Sequence, residues 1–299
     1  MKVLRAMALT LAMISMFAGA QVGSAQTPNV AAPGAQLLAA AEALAAGDHK
    51  GALEQVNGAL AKTPDDLSAL VLRAKIRTAR QEYAEALADL ERAVAAAPDQ
   101  PALYDLRGDA RFRVGDFSGA LADFDEYLDR RPQARPGHWR RGIVCYYAGK
   151  FAAGRDQFAA YQTVDDADVE NAVWHYLCNA RVVGREQART EIPKVRPDRR
   201  VPLMTVLELF QGKATVDDVD RACDGPDLTP EEKASRRFFA NLYAGLFLVS
   251  EEQPAAALER LAAAADPALA DPKHGGGGYM WEVARVHAAE LRKAQEKAK

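Results

Sequence analysis

The chain is poor in aromatic residues, with Phe, Trp and Tyr together making 7% of its 299 positions. Stretches in which Val, Ile and Thr alternate with polar residues, the mark of a half-buried strand, are almost absent. Alanine dominates instead, so the expected fold class is all-α, with small residues where helices touch. The net charge of −3 contains no basic block. Nucleic acid is therefore excluded as a partner, because phosphate binding needs clustered Lys and Arg. Beyond the N-terminal segment no run approaches the ~20 apolar residues that a spanning helix requires. His49, His138, His175, His274 and His287 are scattered, with neither H-E-x-x-H nor C-x-x-C spacing. No metal, cofactor or catalytic set is expected from them.

Only three cysteines occur, Cys145, Cys178 and Cys223. An odd number cannot all pair. Buried thiols are the expectation, with a Cys145–Cys178 bridge as the alternative.

The first 25 residues read as a secretory signal peptide. Lys2 and Arg5 precede an uncharged apolar core from Ala6 to Ala20, and Gly23-Ser24-Ala25 supplies small residues for a cut after Ala25. The competing reading, an uncleaved anchor, is disfavoured by the short core and by polar Gln21, Ser24, Gln26 and Thr27. No cysteine follows the core, so no lipid anchor and no stable membrane anchor after cleavage is expected there. Residues 26–32 form a linker. The mature chain is expected to be soluble, and periplasmic or secreted.

What the sequence does have is a period. Pro64, Pro98 and Pro132 recur at 34 residues, as do Ala52, Ala86 and Ala120, and Ala40, Ala74, Gly108 and Gly142 form a third series. Four repeats follow, at 33–66, 67–100, 101–134 and 135–168. Each is read as two helices joined by a turn: Gly47-Asp48-His49, Gln81-Glu82-Tyr83, Gly115-Asp116-Phe117 and Gly149-Lys150-Phe151. Gly108 and Ala120 are expected to face each other where the helices cross most tightly, and Gly154 stands where the fourth repeat would have Ala. The period and its small residues identify a tetratricopeptide solenoid.

Residues 169–299 are expected to be helical but less regular. Glu170 to Val183 forms one helix, and short helices follow at 203–211 and 215–223. Thr229-Pro230-Glu231-Glu232 opens a long helix with a capping box. Gly245 and Ala257 repeat the Gly108–Ala120 spacing, which suggests a further repeat at about 238–271. Lys273 to Gly278 is read as a glycine-rich connector, and residues 279–293 as a terminal helix.

Within 141–177 the run RGIVCYYAGKFAAGRDQFAAYQ, followed by DDAD at 165–168 and VWHYL at 173–177, resembles the bacterial NlpI-type tetratricopeptide lipoproteins. The resemblance implies a helical envelope protein that dimerises and brings proteases and peptidoglycan enzymes to their substrates. The chain departs from that family in having no lipidation cysteine after its signal.

The repeat register projects Val71, Lys75, Asp105, Asp109, Phe112, Arg113, Trp139, Ile143, Tyr146 and Tyr147 onto the inner face of the array. Aromatics and Arg bury much area with few rotors, so Phe112, Arg113, Trp139, Ile143, Tyr146 and Tyr147, with Lys75 and Asp109, are the candidate partner-binding groove. The competing expectation is internal packing, with the helix from Glu170 filling the groove through Trp174 and Tyr176. A non-enzymatic adaptor or scaffold holding other proteins is the functional expectation. The partners would be envelope enzymes or their substrates, or a second copy in a homodimer. Two alternatives remain: a cryptic catalytic or ligand-binding domain in the C-terminal region, and a purely self-associating envelope protein.

Overall fold

The computed structural model describes residues 34–270 and 278–297. The expected signal peptide, the linker 26–32 and most of the glycine-rich connector, with His274, lie outside the described residues. Every regular element among the described residues is helical: fifteen α-helices and two single 3-10 turns. The expected all-α solenoid of stacked helix pairs is the fold observed. The chain divides into two units at Ala110/Arg111, inside one helix.

Unit 1 contains α1 (Ala35–Ala45), α2 (His49–Lys62), α3 (Leu67–Ala79), α4 (Tyr83–Ala96) and the greater part of α5 (Pro101–Val114). Asp48 and Asp66 start α2 and α3 by accepting the backbone N–H of Gly51 and Ala69, each at 2.9 Å. Leu37, Val56, Leu60, Leu70 and Ile76 form the core of the stacked pairs. One buried carboxylate interrupts this apolar packing. Asp89 of α4 accepts from Arg73 Nη2 and Arg77 Nη1 of α3, both at 2.6 Å.

Unit 2 contains α6 (Phe117–Arg130), α7 (Trp139–Tyr147), α8 (Phe151–Tyr161), α9 (Val169–Val183), α10 (Arg185–Thr190), α11 (Leu203–Phe210) and α12 (Val216–Ala222). It ends with α13 (Pro230–Ser250), α14 (Pro254–Ala264) and α15 (Tyr279–Lys297). The unit 1 ion pair recurs here one period later, as Arg111 Nη1 to the buried Asp123 at 2.8 Å. One period further on the positions hold Cys145 and Gln157, so both charges are lost together. That joint change is what burial demands, since a lone buried charge is costly. Thr229 and Glu232 cap α13 reciprocally, with Pro230 in its first turn. Helix α10, absent from the sequence expectation, begins directly after Gly184.

Turn chemistry accounts for the joints. Gly47, Gly115 and Gly149 take positive φ of 79°, 87° and 69° at the ends of their first helices, where a left-handed residue closes a helix. Gln81 and Glu252 occupy the corresponding turns at φ 61° and 60° without being glycine.

The tight crossings at Gly142 and Gly245 show what a small residue admits. A Cβ on Gly142 would lie 2.6 Å from the ring of Phe158, and one on Gly245 would lie 2.7 Å from Leu261. Each of these two small residues is therefore met by the large side chain sixteen positions on. The small residue exists to admit that side chain.

Candidate protein-binding site

Six of the eight candidate groove residues come together in unit 2, and they are covered. Phe112 is fully buried, and the ring of Tyr279 stacks on it at 5.2 Å between centroids. Arg113 Nε binds Glu282 Oε1 at 3.1 Å, while its backbone carbonyl accepts from Arg285 Nη2 at 2.7 Å. Trp139 meets the Tyr279 ring edge-on at 5.1 Å, and Ile143 is buried. Tyr146 and Tyr147 pack on His287, whose Nδ1 lies 3.0 Å from the Tyr147 hydroxyl. Lys75 and Asp109 belong to unit 1, where Lys75 is exposed and Asp109 half-buried.

The covering element is α15. Its Trp281, Val283, Ala284, Val286 and Ala288 are buried in the core of unit 2, so the helix is built in and not laid loosely on the surface. The sequence expectation assigned this filling role to the helix from Glu170. Trp174 of that helix does reach Tyr146, at 5.7 Å between centroids, but Tyr176 turns to Phe210 at 5.3 Å. The available signal was α15 itself. Tyr279, Met280, Trp281, Val283, Ala284 and Val286 give its first half an apolar surface too broad for a helix that packs on one face.

Burial sets the electrostatics of this interface. Desolvation pushes His287 from 6.5 down to about 4, so the imidazole is neutral at physiological pH. The same cause holds the Tyr147 phenol well above its ordinary value of 10, with neighbouring Tyr146, Tyr279 and Glu290 adding to it. Cys145 and Cys223 are free and buried, and burial raises both thiols to about 11. Cys178 is also free and is raised further by the same cause. A thiol held protonated in this way is a poor nucleophile.

Two models of tetratricopeptide repeats match the chain, one over residues 37–101 and one over 75–138. Residues 37–138 are thus similar to tetratricopeptide repeats. The tetratricopeptide fold is shared with a tetratricopeptide repeat protein from Parabacteroides merdae ATCC 43184. That comparison has a TM-score of 0.52 and 15% identity, and covers 86% of this chain and 97% of that one. PilW, a widely conserved type IV pilus biogenesis factor, is similar at TM-score 0.43 and 15% identity, over 80% of this chain and 94% of that one. No curated protein matches. In this tetratricopeptide array the first-helix face of unit 1 carries Lys75 and Ala79 exposed, with Val71 half-buried between the helices.

Proposed function

We propose that the protein is an exported, non-enzymatic adaptor of the bacterial envelope that holds other proteins through its tetratricopeptide array. Tetratricopeptide proteins generally mediate protein–protein contact. The observation that carries the reading lies within the chain. The inner face of unit 2 already holds a helix, α15, by ring stacking on Phe112, an ion pair to Arg113 and a hydrogen bond to Tyr147. A partner reaching Tyr146 and Tyr147 would have to displace a helix whose Trp281, Val283 and Val286 are core. We therefore place partner contact on the first-helix face of unit 1, around Lys75. The likeness of residues 141–177 to NlpI-type proteins supports protease or peptidoglycan enzymes as the class of client, and a homodimer as the assembly. The Lys2-to-Ala25 segment supports export, with a mature chain starting at Gln26. The buried, protonated thiols and the neutral, buried His287 support the absence of an enzymatic role.

Affinity capture of the mature chain from envelope extract tests the reading. Wild type is compared with Lys75→Glu/Ala79→Arg, a variant altered only at exposed positions and checked by circular dichroism. Proteases or cell-wall enzymes retained by wild type and lost from the variant support it. Recovery of the chain alone overturns it in favour of self-association, which analytical ultracentrifugation at several concentrations would then reveal.

A further inference from the structure

A cavity of about 80 Å³ opens among α7, α8, the first turn of α9 and the start of α15. Phe158, Asn171 and Trp174 are buried at its inner wall, while Trp139, Asp168 and Glu170 are half-buried and frame the side nearest solvent. The volume is far below the roughly 300–1,000 Å³ of a site for a drug-sized ligand. It suits one compact head group.

Three features of the wall agree on what that group is. Trp139, Phe158 and Trp174 supply aromatic rings, which attract cations. The carboxylates are in excess. Asp168, Glu170 and Asp198 all bind one guanidinium, Arg200, with Asp168 at 2.7 Å and Asp198 at 2.6 Å. Burial, with Asp168 beside it, raises the Glu170 carboxyl even though Arg200 and the Tyr243 hydroxyl oppose the shift, so a further cation would favour its anion. Last, Asn171 donates through Nδ2 to the carbonyl of Phe158 at 3.0 Å, yet its Oδ1 is shielded from water and accepts nothing. An unfilled acceptor in a buried place asks for an N–H.

We propose that this cavity binds the ammonium head of a primary alkylamine, either a free amine or the side chain of a lysine. The ammonium donates to Asn171 Oδ1, its charge faces Glu170 and Asp168, and its alkyl stem lies along Trp139. Met280 of α15 closes the far side, so the site is complete only with α15 docked. The competing ligand is a neutral carboxamide, which would also satisfy the unpartnered Trp174 Nε1 but would leave the excess negative charge unanswered. This inference does not depend on the adaptor reading.

Two of the three tryptophans line the cavity, so indole fluorescence of the full chain reports binding. The probes are n-butylammonium chloride, butyramide, and a lysine peptide beside its norleucine analogue. Saturable binding of n-butylammonium, at least about tenfold tighter than butyramide, is the expected result. Trp139→Leu and Glu170→Gln should each weaken it at least about tenfold, with far-UV circular dichroism unchanged. Trp139 is half-buried, so its variant keeps the test usable should Glu170→Gln fail to fold. Competition by the lysine peptide but not the norleucine peptide assigns the head group to a partner protein; competition by neither assigns it to a free amine. The absence of a saturable response in wild type overturns the proposal, as does butyramide binding equally well or an undiminished response in Trp139→Leu.

Discussion

The ring of Tyr279 lies over that of Phe112 with centroids 5.2 Å apart and planes 13° from parallel. One residue further along α5, Arg113 pairs with Glu282, one turn further along α15. The two contacts fix the register of the terminal helix. The ion pair is well shielded, with side chains only 12% and 8% exposed. Removing one partner of such a pair leaves a buried charge and costs about 3–5 kcal/mol. Glu282→Ala should therefore lower the urea midpoint sharply. Arg113→Met/Glu282→Leu should recover part of that loss, because neither of these two charges then remains to be buried, while Arg285 still loses its bond to Glu282 Oε2 at 2.9 Å.

The neutral state of His287 makes stability depend on pH. The unfolded chain takes up the imidazole proton near 6.5, the folded chain only near 4. The folded state is thus disfavoured as pH falls. Its full contribution is present above 6.5, shrinks from 6.5 to 4, and is gone below 4. The total loss is about 3 kcal/mol. Carboxylates held low in the fold, such as Asp198, weaken the protein in the same direction. The measurement is therefore a difference: His287→Gln should flatten the wild-type curve of melting temperature between pH 6.5 and 4. Parallel curves would sink the assignment.

Gly154 stands where the other repeats have Ala, and the reason is a thiol. A Cβ there would lie 2.7 Å from Cys178 Sγ, 3.2 Å from Cys145 Cβ and 3.2 Å from the carbonyl of Gly142. Alanine gains up to about 1 kcal/mol of helix propensity over glycine. Overpacking a tight core costs about 1–3 kcal/mol. The clash wins, so Gly154→Ala should be destabilising. Gly154→Ala/Cys178→Ala removes the nearest obstacle and should return stability to within about 1 kcal/mol of wild type.

How much of this was legible follows from sequence distance. The 34-residue period, the left-handed glycines and the Thr229–Glu232 capping box are decided within a few residues, so their residue types announce them. Less legible is which large side chain the small residue of a first helix admits. The period puts Ala120 and Phe124 in the same second helix, and only packing shows which of the two positions the small residue admits. The covering of Phe112 and Arg113 by Tyr279 and Glu282 joins residues about 170 positions apart. Six of the eight candidate groove residues lie in unit 2, and what covers them depends on where α15 returns. The excess of carboxylates around Arg200 likewise joins residues 168 and 170 to residue 198, about 30 positions on.

The paired loss of charge at Cys145 and Gln157 suggests an experiment on the preceding repeat. Arg111 and Asp123 occupy the same positions one period earlier, with Asp123 buried. Arg111→Cys alone takes a charged partner from that buried carboxylate and should be destabilising. Arg111→Cys/Asp123→Gln reproduces the fourth repeat and should be clearly more stable than the single variant. Denaturation of both singles and the double gives the coupling energy directly. A coupling near zero would mean the two substitutions in the fourth repeat are unrelated.

Gln81 is strained where its glycine counterparts are not. It takes φ 61° in the turn that Gly47, Gly115 and Gly149 occupy at 69° to 87°. A side chain in the left-handed region costs about 1–2 kcal/mol. Against this, glycine loses more entropy on folding, about 0.4–1 kcal/mol. The strain is the larger quantity, and Gln81 is exposed, so little packing is lost with its side chain. Its backbone N–H bond to the Thr78 carbonyl, at 2.9 Å, survives the change. Gln81→Gly should raise stability by up to about 1 kcal/mol. The gain should appear as a higher urea midpoint at unchanged m-value. Gly149→Gln, the reverse change in the fourth repeat, should lower the midpoint by a similar amount. If both variants move in the same direction, backbone strain is not what distinguishes these turns.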